Sequence, residues 1–158
     1  MSWDIIKSTA ENIEFIDNKL GDYNKTKVQY SSKMDFLPLN FHIKDEQGNI
    51  IAGINAQSCW QMLYISELYV DEYYRGKSIG SLLLNKVETE AKNLGAIVSH
   101  TDTFDWQAKD FYLKLGYEVF GVIDNCPEGH KRFFLKKLLK KKCKRLINPI
   151  LLRHNELR

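Results

Sequence analysis

The segment that most restricts the fold spans residues 63–94, where the hydrophobic period changes. Residues 63–70 form a short, largely apolar run with the look of a strand buried in a sheet. A polar stretch follows, and then Ile79, Leu83, Val87, Ala91 and Leu94 recur at helical spacing over residues 78–94. The opposite face carries Asn, Lys, Glu and Thr, and Gly95 ends the pattern. A buried strand that turns directly into an amphipathic helix belongs to an α/β arrangement in which the helix lies back over the sheet.

The rest of the chain supplies the remaining parts of that arrangement. Ser8 and Glu11 have capping-box spacing, Ile13, Ile16 and Leu20 share one helical face, and Gly21 suits a left-handed C-terminal position, so a helix is expected over 9–20. A third helix is expected from Asp105 as N-cap to Gly116, burying Ala108, Phe111, Tyr112 and Leu115. Residues 36–43 and 50–58 flank the turn-forming Asp45-Glu46-Gln47-Gly48-Asn49 and suggest a hairpin. Residues 63–70 and 96–103 read as central strands apolar on both faces, and 117–123 and 131–137 as two more. The expected order is helix, two or three antiparallel strands, then strand, helix, strand, helix, strand, strand. That is a mixed, mostly antiparallel sheet with one βαβ unit at its middle and flanking helices.

At 158 residues with 44% hydrophobic content, one compact domain over residues 1–138 is expected, followed by an extension over 139–158. No apolar stretch reaches the roughly 20 residues that cross a bilayer, and Met1-Ser2-Trp3-Asp4 lacks the plan of a secretory signal, so a soluble, cytoplasmic protein without a membrane partner is expected. Cys59, Cys126 and Cys143 are odd in number and far apart, which suggests neither a disulfide framework nor a zinc site. Charge is uneven. Residues 1–130 carry 12 basic and 19 acidic side chains and residues 131–158 carry 11 basic and one acidic, so the body is about −7 and the tail about +10. The body would attract cationic amines and the tail polyanions.

Chemistry concentrates in Leu68-Tyr69-Val70-Asp71-Glu72-Tyr73-Tyr74-Arg75-Gly76-Lys77-Ser78-Ile79-Gly80-Ser81, the junction of the central strand and the strongest helix. The first amides of a helix have no partner within it and the helix dipole makes them electropositive, so such a junction binds anions. Gly76 and Gly80 leave room for phosphate oxygens against the backbone, and Arg75 and Lys77 add countercharge. Two phosphate motifs fail on spacing. A nucleotide P-loop ending in Gly76-Lys77-Ser78 needs glycine where Asp71 stands, and a dinucleotide fingerprint needs three glycines where positions 76, 78 and 81 read Gly, Ser and Ser.

The run resembles the pyrophosphate loop of the GNAT N-acetyltransferases, Arg/Gln-x-x-Gly-x-Gly/Ala after a strand. Arg75, Ile79 and Gly80 match it, while Ser78 stands where the motif has its first glycine. Ala108-Lys109-Asp110-Phe111-Tyr112-Leu113-Lys114-Leu115-Gly116-Tyr117-Glu118 is similar to the same family's later helix and turn. The likeness covers residues 36–138, and residues 102–130 look nearest to a bacterial subgroup of unassigned substrate. It implies acetyl-CoA as cosubstrate, lying where the strands ending near Val70 and Thr103 part, with Leu68, Tyr69, Val70, Arg75, Gly76, Lys77, Ser78, Ile79, Gly80, Ser81, Asp105 and Tyr112 as its contacts. It implies direct transfer to an amine, with no covalent enzyme intermediate, metal or redox cofactor.

Transfer to an amine poses three needs. An alkylammonium with a pKa of about 10.4 is neutral at pH 7 only to the order of 0.1%, so its proton must be removed. Glu67, at the end of the central strand, is the candidate base, directly or through a water; it reads equally as an ion-paired or solvent-facing carboxylate. The carbonyl oxygen needs an amide donor, which the resemblance puts beside a strand bulge near Tyr69 or Val70. The departing thiolate needs a proton, and Tyr112 aligns with the family's general acid, although its spacing also suits a core aromatic; Tyr64, Tyr69, Tyr73, Tyr74 and Tyr117 match no acid position. Asp105 stands where relatives carry an asparagine on the pantetheine arm, and capping explains it as well. His100 and His130 have no catalytic or metal spacing.

Residues 136–145 carry seven basic side chains in ten, which suits packing on the domain or a second subunit, a nucleic-acid or ribosome contact, or a solvated extension. The expected activity is therefore acetyl transfer to a primary amine of a small cationic molecule, such as a polyamine or aminoglycoside, or of a peptide, with a homodimer as one arrangement. The rivals are a coenzyme-binding regulatory domain without turnover, and nucleic-acid binding through the tail.

Overall fold

The computed structural model describes residues 3–29, 31 and 36–139. Helix α1 (Ala10–Lys25) precedes strands β1 (Leu37–Pro38), β2 (Phe41–Lys44), β3 (Ile50–Cys59) and β4 (Met62–Val70). Then come a 3-10 turn at Glu72–Tyr74, helix α2 (Ile79–Asn93), β5 (Val98–Phe104), helix α3 (Lys109–Lys114), β6 (Glu118–Asp124) and β7 (Lys131–Leu138). The strands form one seven-stranded sheet in the order β1-β3-β4-β5-β7-β6, with β2 also paired to β3. Among the described residues only β4 and β5 run parallel, because α2 crosses between them; every other described pair is antiparallel.

The core lies between α2 and one sheet face. Ala52, Ile54 and Ala56 of β3, Leu63 and Ile65 of β4 and Leu135 of β7 meet Leu83, Leu84, Val87 and Ala91 of α2, with Tyr112 and Tyr117 in the same cluster. Leu139, assigned by sequence to the extension, is buried in this cluster and donates its amide to Ile97 O at 2.8 Å. The basic segment beyond it lies outside the described residues.

Several boundaries differ from expectation for physical reasons. The cap of α1 is Thr9 rather than Ser8: its hydroxyl accepts from Asn12 N while Asn12 Oδ1 accepts from Thr9 N, a capping box made by asparagine instead of Glu11. The helix runs on through Gly21 to Lys25, since glycine weakens a helix interior by only about 1 kcal/mol. The strand expected at 36–43 breaks at Leu39 and Asn40, where Asn40 Oδ1 accepts from Ala56 N at 3.1 Å in place of a backbone carbonyl. Strand β5 alternates: Ser99, Thr101 and Thr103 are buried while His100, Asp102 and Phe104 are half-buried, so it is not apolar on both faces.

Glu88 is the largest departure. Periodicity places it on the polar face of α2, yet it is buried, with its carboxylate bonded by Lys137 Nζ at 2.7 and 2.9 Å and by the Tyr117 hydroxyl at 3.0 Å. Ser99 Oγ lies 2.6 Å from the same hydroxyl. Burial, then the neighbouring Glu88 charge, pushes the Tyr117 hydroxyl far above the usual tyrosine pKa, so it stays protonated as donor. Glu88→Gln is expected to cost about 2 kcal/mol by leaving Lys137 without its anion, less than a fully enclosed pair because Lys137 reaches solvent. Denaturant unfolding of the two proteins measures this; equal midpoints would show the pair to be neutral.

Candidate active site

β4 and β5 pair only from Met62 opposite Val98 to Ile65 opposite Thr101. Beyond that point β4 continues to Val70 against β3, while β5 continues to Phe104 against β7, and a cleft of about 970 Å³ opens between them. Its walls carry Glu67, Leu68, Tyr69, Val70, Arg75, Gly76, Ser78, Ile79, Gly80, Ser81 and Tyr112. Lys77 and Asp105 are absent from these walls. Lys77 Nζ sits 5.0 Å from the centre of the Tyr74 ring.

A bulge sets the chemistry of β4. Asn55 faces Glu67 but Ala56 faces Ile65, so Ser66 is an extra residue outside the register with β3, where only its hydroxyl reaches Asn55 O at 3.1 Å. The bulge expected near Tyr69 or Val70 therefore lies three to four residues earlier. After it, Asp71 N donates to Ile51 O at 2.8 Å, and antiparallel alternation then turns the Tyr69 and Glu67 amides toward β3. The Leu68 and Val70 amides are left on the cleft side. Arg75 Nε donates to Val70 O at 3.0 Å, as this alternation requires.

The turn into α2 exposes further amides. Asp71 caps the 3-10 turn by accepting from Tyr73 N at 3.0 Å, Gly76 has φ of +76°, and Ser78 has φ of 61° and ψ of 11°. Ser78 thus adopts a left-handed conformation of the kind that ordinarily favours glycine. The first bond within α2 joins Leu82 N to Ser78 O at 3.0 Å, so the N–H groups of Ile79, Gly80 and Ser81 have no acceptor within the helix. Ser78→Gly is expected to stabilise the fold by on the order of 1 kcal/mol through removal of the left-handed penalty, with coenzyme affinity undiminished. Thermal melting with and without acetyl-CoA tests this; a lower midpoint would mean the serine side chain holds the turn.

Asp105 is not a helix cap. α3 begins after Ala108, and the intervening turn is held by Gln107 Oε1, which accepts from Phe104 N at 2.9 Å, and by Thr103 Oγ1, which accepts from Ala108 N at 3.3 Å. The Asp105 carboxylate instead accepts from Lys131 N at 3.2 Å and lies 3.1 Å from His130 Nδ1. Tyr112 is buried, and burial raises its pKa, outweighing the lowering influence of the neighbouring Thr101 side chain. Thr101 Oγ1 in turn reaches Ile65 O at 3.0 Å. The Glu67 carboxylate accepts from Ser66 Oγ at 2.6 Å. Nearby, Asp102 Oδ2 takes Arg132 Nε and Nη2, both at 2.7 Å, and the half-buried His100 ring, its pKa lowered by desolvation, stacks on Tyr64.

Ser66, Thr101, Asp102, Thr103, Trp106, Gln107 and Phe111 also line the cleft and were not anticipated. The alternation of Thr101 and Thr103 along β5 is the one sequence signal that points to any of them. Among the described residues no cluster of His, Cys, Asp and Glu is arranged to hold a metal, and no helix is long and apolar enough to cross a membrane.

A mixed sheet split open at the one parallel pair among the described residues, with a bulged strand on one side and unpaired helix-start amides at the mouth, is here the cleft of an acyltransferase. The chain belongs to the GNAT acetyltransferase family, whose profile matches residues 11–117. It is 35% identical over 95 residues to a blasticidin-S acetyltransferase of Streptomyces morookaense, covering 60% of this chain and 70% of that protein. The crystal structure of an acetyltransferase from Bacillus cereus ATCC 14579 superposes with a TM-score of 0.78 at 33% identity, over 86% of this chain and 97% of that one. A Bacillus anthracis protein described as a streptothricin acetyltransferase, solved with acetyl coenzyme A, shares the fold at 19% identity and a TM-score of 0.58, over 65% of this chain and 62% of that one.

Proposed function

We propose that this enzyme transfers the acetyl group of acetyl-CoA directly to a primary amine of a small cationic molecule in the cytoplasm. The observation that carries the reading is the alignment along one cleft of two kinds of free donor: the Ile79, Gly80 and Ser81 amides at its mouth and the Leu68 and Val70 amides along its wall. The first set suits a diphosphate, since bare amides at a helix start bind phosphate oxygens without a basic side chain. The second set suits an extended amide-containing arm, which can pair with β4 as another strand would. When bound, acetyl-CoA supplies an acetyl group activated as a thioester.

In this reading Glu67 receives the proton of the acceptor ammonium, directly or through a water held with the Ser66 hydroxyl. The Val70 or Leu68 amide donates to the carbonyl oxygen as negative charge builds there, and Tyr69 is set aside because its own N–H is turned toward β3. Tyr112 gives its proton to the departing sulfur, whose conjugate acid has a pKa near 8.5. Arg75 ties the strand end to the turn and keeps the two sets of amides aligned.

The test joins calorimetric titration with acetyl-CoA to an amine panel read by thiol release. Because one relative is a blasticidin-S acetyltransferase and a structural neighbour is described as acting on streptothricin, both antibiotics belong in that panel beside polyamines, aminoglycosides and peptides. Micromolar binding with thiol release for at least one cationic amine is expected. Binding without release from any amine would make the chain a coenzyme-sensing module instead.

A further inference from the structure

We infer that Tyr117 is a positioning residue for the transfer: its buried hydroxyl, bonded to Ser99 and Glu88, fixes the Tyr112 ring relative to the amides at the start of α2. The inference rests on the acetyl-transfer reading above. It starts from the weakness of α3. Its six residues, Lys109–Lys114, make a helix too short to hold itself in place, and no side chain caps its start. The direction of Tyr112, which lines the cleft, therefore depends on what holds α3 from outside.

Tyr117 supplies that hold through three groups. Its amide donates to Tyr112 O at 3.1 Å, and its ring meets the Tyr112 ring edge-on with 5.3 Å between centres. Its hydroxyl lies 2.6 Å from Ser99 Oγ and donates to Glu88 Oε1 at 3.0 Å. Ser99 belongs to β5 and Glu88 to α2, so one hydroxyl ties the end of α3 both to the sheet and to the helix whose first amides face the cleft. Lys137 completes the set. Its Nζ bonds both Glu88 oxygens, and its Cε is 3.9 Å from where a Cβ at Gly116 would stand, so its stem runs along the turn between α3 and β6. Nearer the start of α2, Phe111 of α3 lies 3.3 Å from the Cβ position of Gly80. α3 and its turn are thus held to α2 at Gly80 and at Glu88, roughly 12 Å apart at 1.5 Å per residue. Two such points fix an angle as well as a distance.

Apolar packing alone could fill this space, and a buried ion pair is a poor means of adding stability, because desolvation offsets most of its attraction. What hydrogen bonds add to packing is direction. Among the described residues no buried side-chain nitrogen or oxygen lacks a partner, so the set is complete. A shift of about 1 Å at a reacting group can cost on the order of 100-fold in rate. An anchor behind Tyr112 therefore bears on turnover, whereas the α2 amides govern coenzyme binding.

The experiment compares the full-length parent with Tyr117→Phe, Ser99→Ala and Ile54→Val by acetyl-CoA titration, thermal melting and steady-state kinetics, with an amine of the panel that the parent acetylates. Tyr117→Phe keeps the ring and removes the hydroxyl, and Ser99→Ala removes one of its two partners. Ile54 is a core residue of β3 outside the bonded set, so its variant lowers stability alone. For Tyr117→Phe the expected result is a kcat at least about tenfold below the parent, with the amine KM and the acetyl-CoA Kd within about twofold. Ser99→Ala should show a smaller fall in kcat, and Ile54→Val a lower thermal midpoint at the parent kcat. The alkaline limb of the kcat profile should persist in Tyr117→Phe, because Tyr112 remains the acid.

An unmoved kcat in both Tyr117→Phe and Ser99→Ala, an equal fall in Ile54→Val, or a loss of acetyl-CoA affinity matching the loss of kcat would overturn the positioning role. Disappearance of the alkaline limb in Tyr117→Phe would overturn it too, by making Tyr117 the proton donor. Where Tyr117→Phe does not fold, the same criteria apply to Ser99→Ala. Failure of the parent to bind acetyl-CoA, or to release thiol with any amine of the panel, would instead sink the acetyl-transfer reading itself.

Discussion

Gly80→Glu should weaken acetyl-CoA binding by more than about 100-fold with little change in thermal midpoint. A Cβ at Gly80 would stand 3.3 Å from Phe111 Cε2 and 3.6 Å from Val70 Cγ2, two side chains that line the cleft, so a longer side chain has to enter the gap between the strand end and α3. A carboxylate there meets the same bare amides that would hold a diphosphate and repels its charge. At an effective dielectric of 20, two unit charges 4 Å apart interact by about 4 kcal/mol, more than the roughly 2.7 kcal/mol that a 100-fold loss requires. Gly80→Ala separates the two effects: it asks Phe111 to give by a few tenths of an ångström, adds no charge, and should lose far less affinity. Calorimetric titration of the three proteins decides the matter, and a Kd for the glutamate variant within about threefold of the parent would remove this corner from the coenzyme site.

Tyr112→Phe is expected to lower kcat by about 100-fold, the usual scale for a positioned acid, while the acetyl-CoA Kd stays nearly constant. The ring remains to fill its place among Phe111, Tyr117 and the core, so the fold should lose little. The pH profile adds a second readout. An acid must be protonated to work, and burial holds Tyr112 above its ordinary pKa of about 10, so its contribution should be present throughout the neutral range and fade only as pH rises past that value. The phenylalanine variant should lack that alkaline limb. Equal kcat in the two proteins would leave Tyr112 as a core aromatic, the other role that its helical spacing allows.

The split between what could be read from the chain and what could not follows the reach of each interaction. The start of α2 was legible because an amphipathic period and a polar, glycine-punctuated turn are written in consecutive residues. The hairpin around Asp45 was legible for the same reason: its carboxylate accepts from the Gln47 and Asn49 amides, two and four residues on. By contrast, the β3–β4 turn at Trp60 and Gln61 has positive φ at both residues without glycine or asparagine, so no turn signal marks it. Asp105 looked like a cap because a cap is a local role, but its partners, His130 and Lys131, are 25 and 26 residues away. Glu88 looked solvent-facing because its cation lies 49 residues further on.

By itself, then, the order of residues determined the strand–turn–helix corner, the kinds of group placed along it and the layered fold that must enclose it. Hydrophobic period, chain stiffness and bare helix-start amides act within a few neighbours and need no distant partner. Only tertiary structure decided that Ser66 would bulge, that Glu67 and Tyr69 would therefore leave the core face, and that the parallel pair would part after Ile65. Each of those is set by which hydrogen bonds a remote strand offers, and a register of that kind exists only once the strands are side by side.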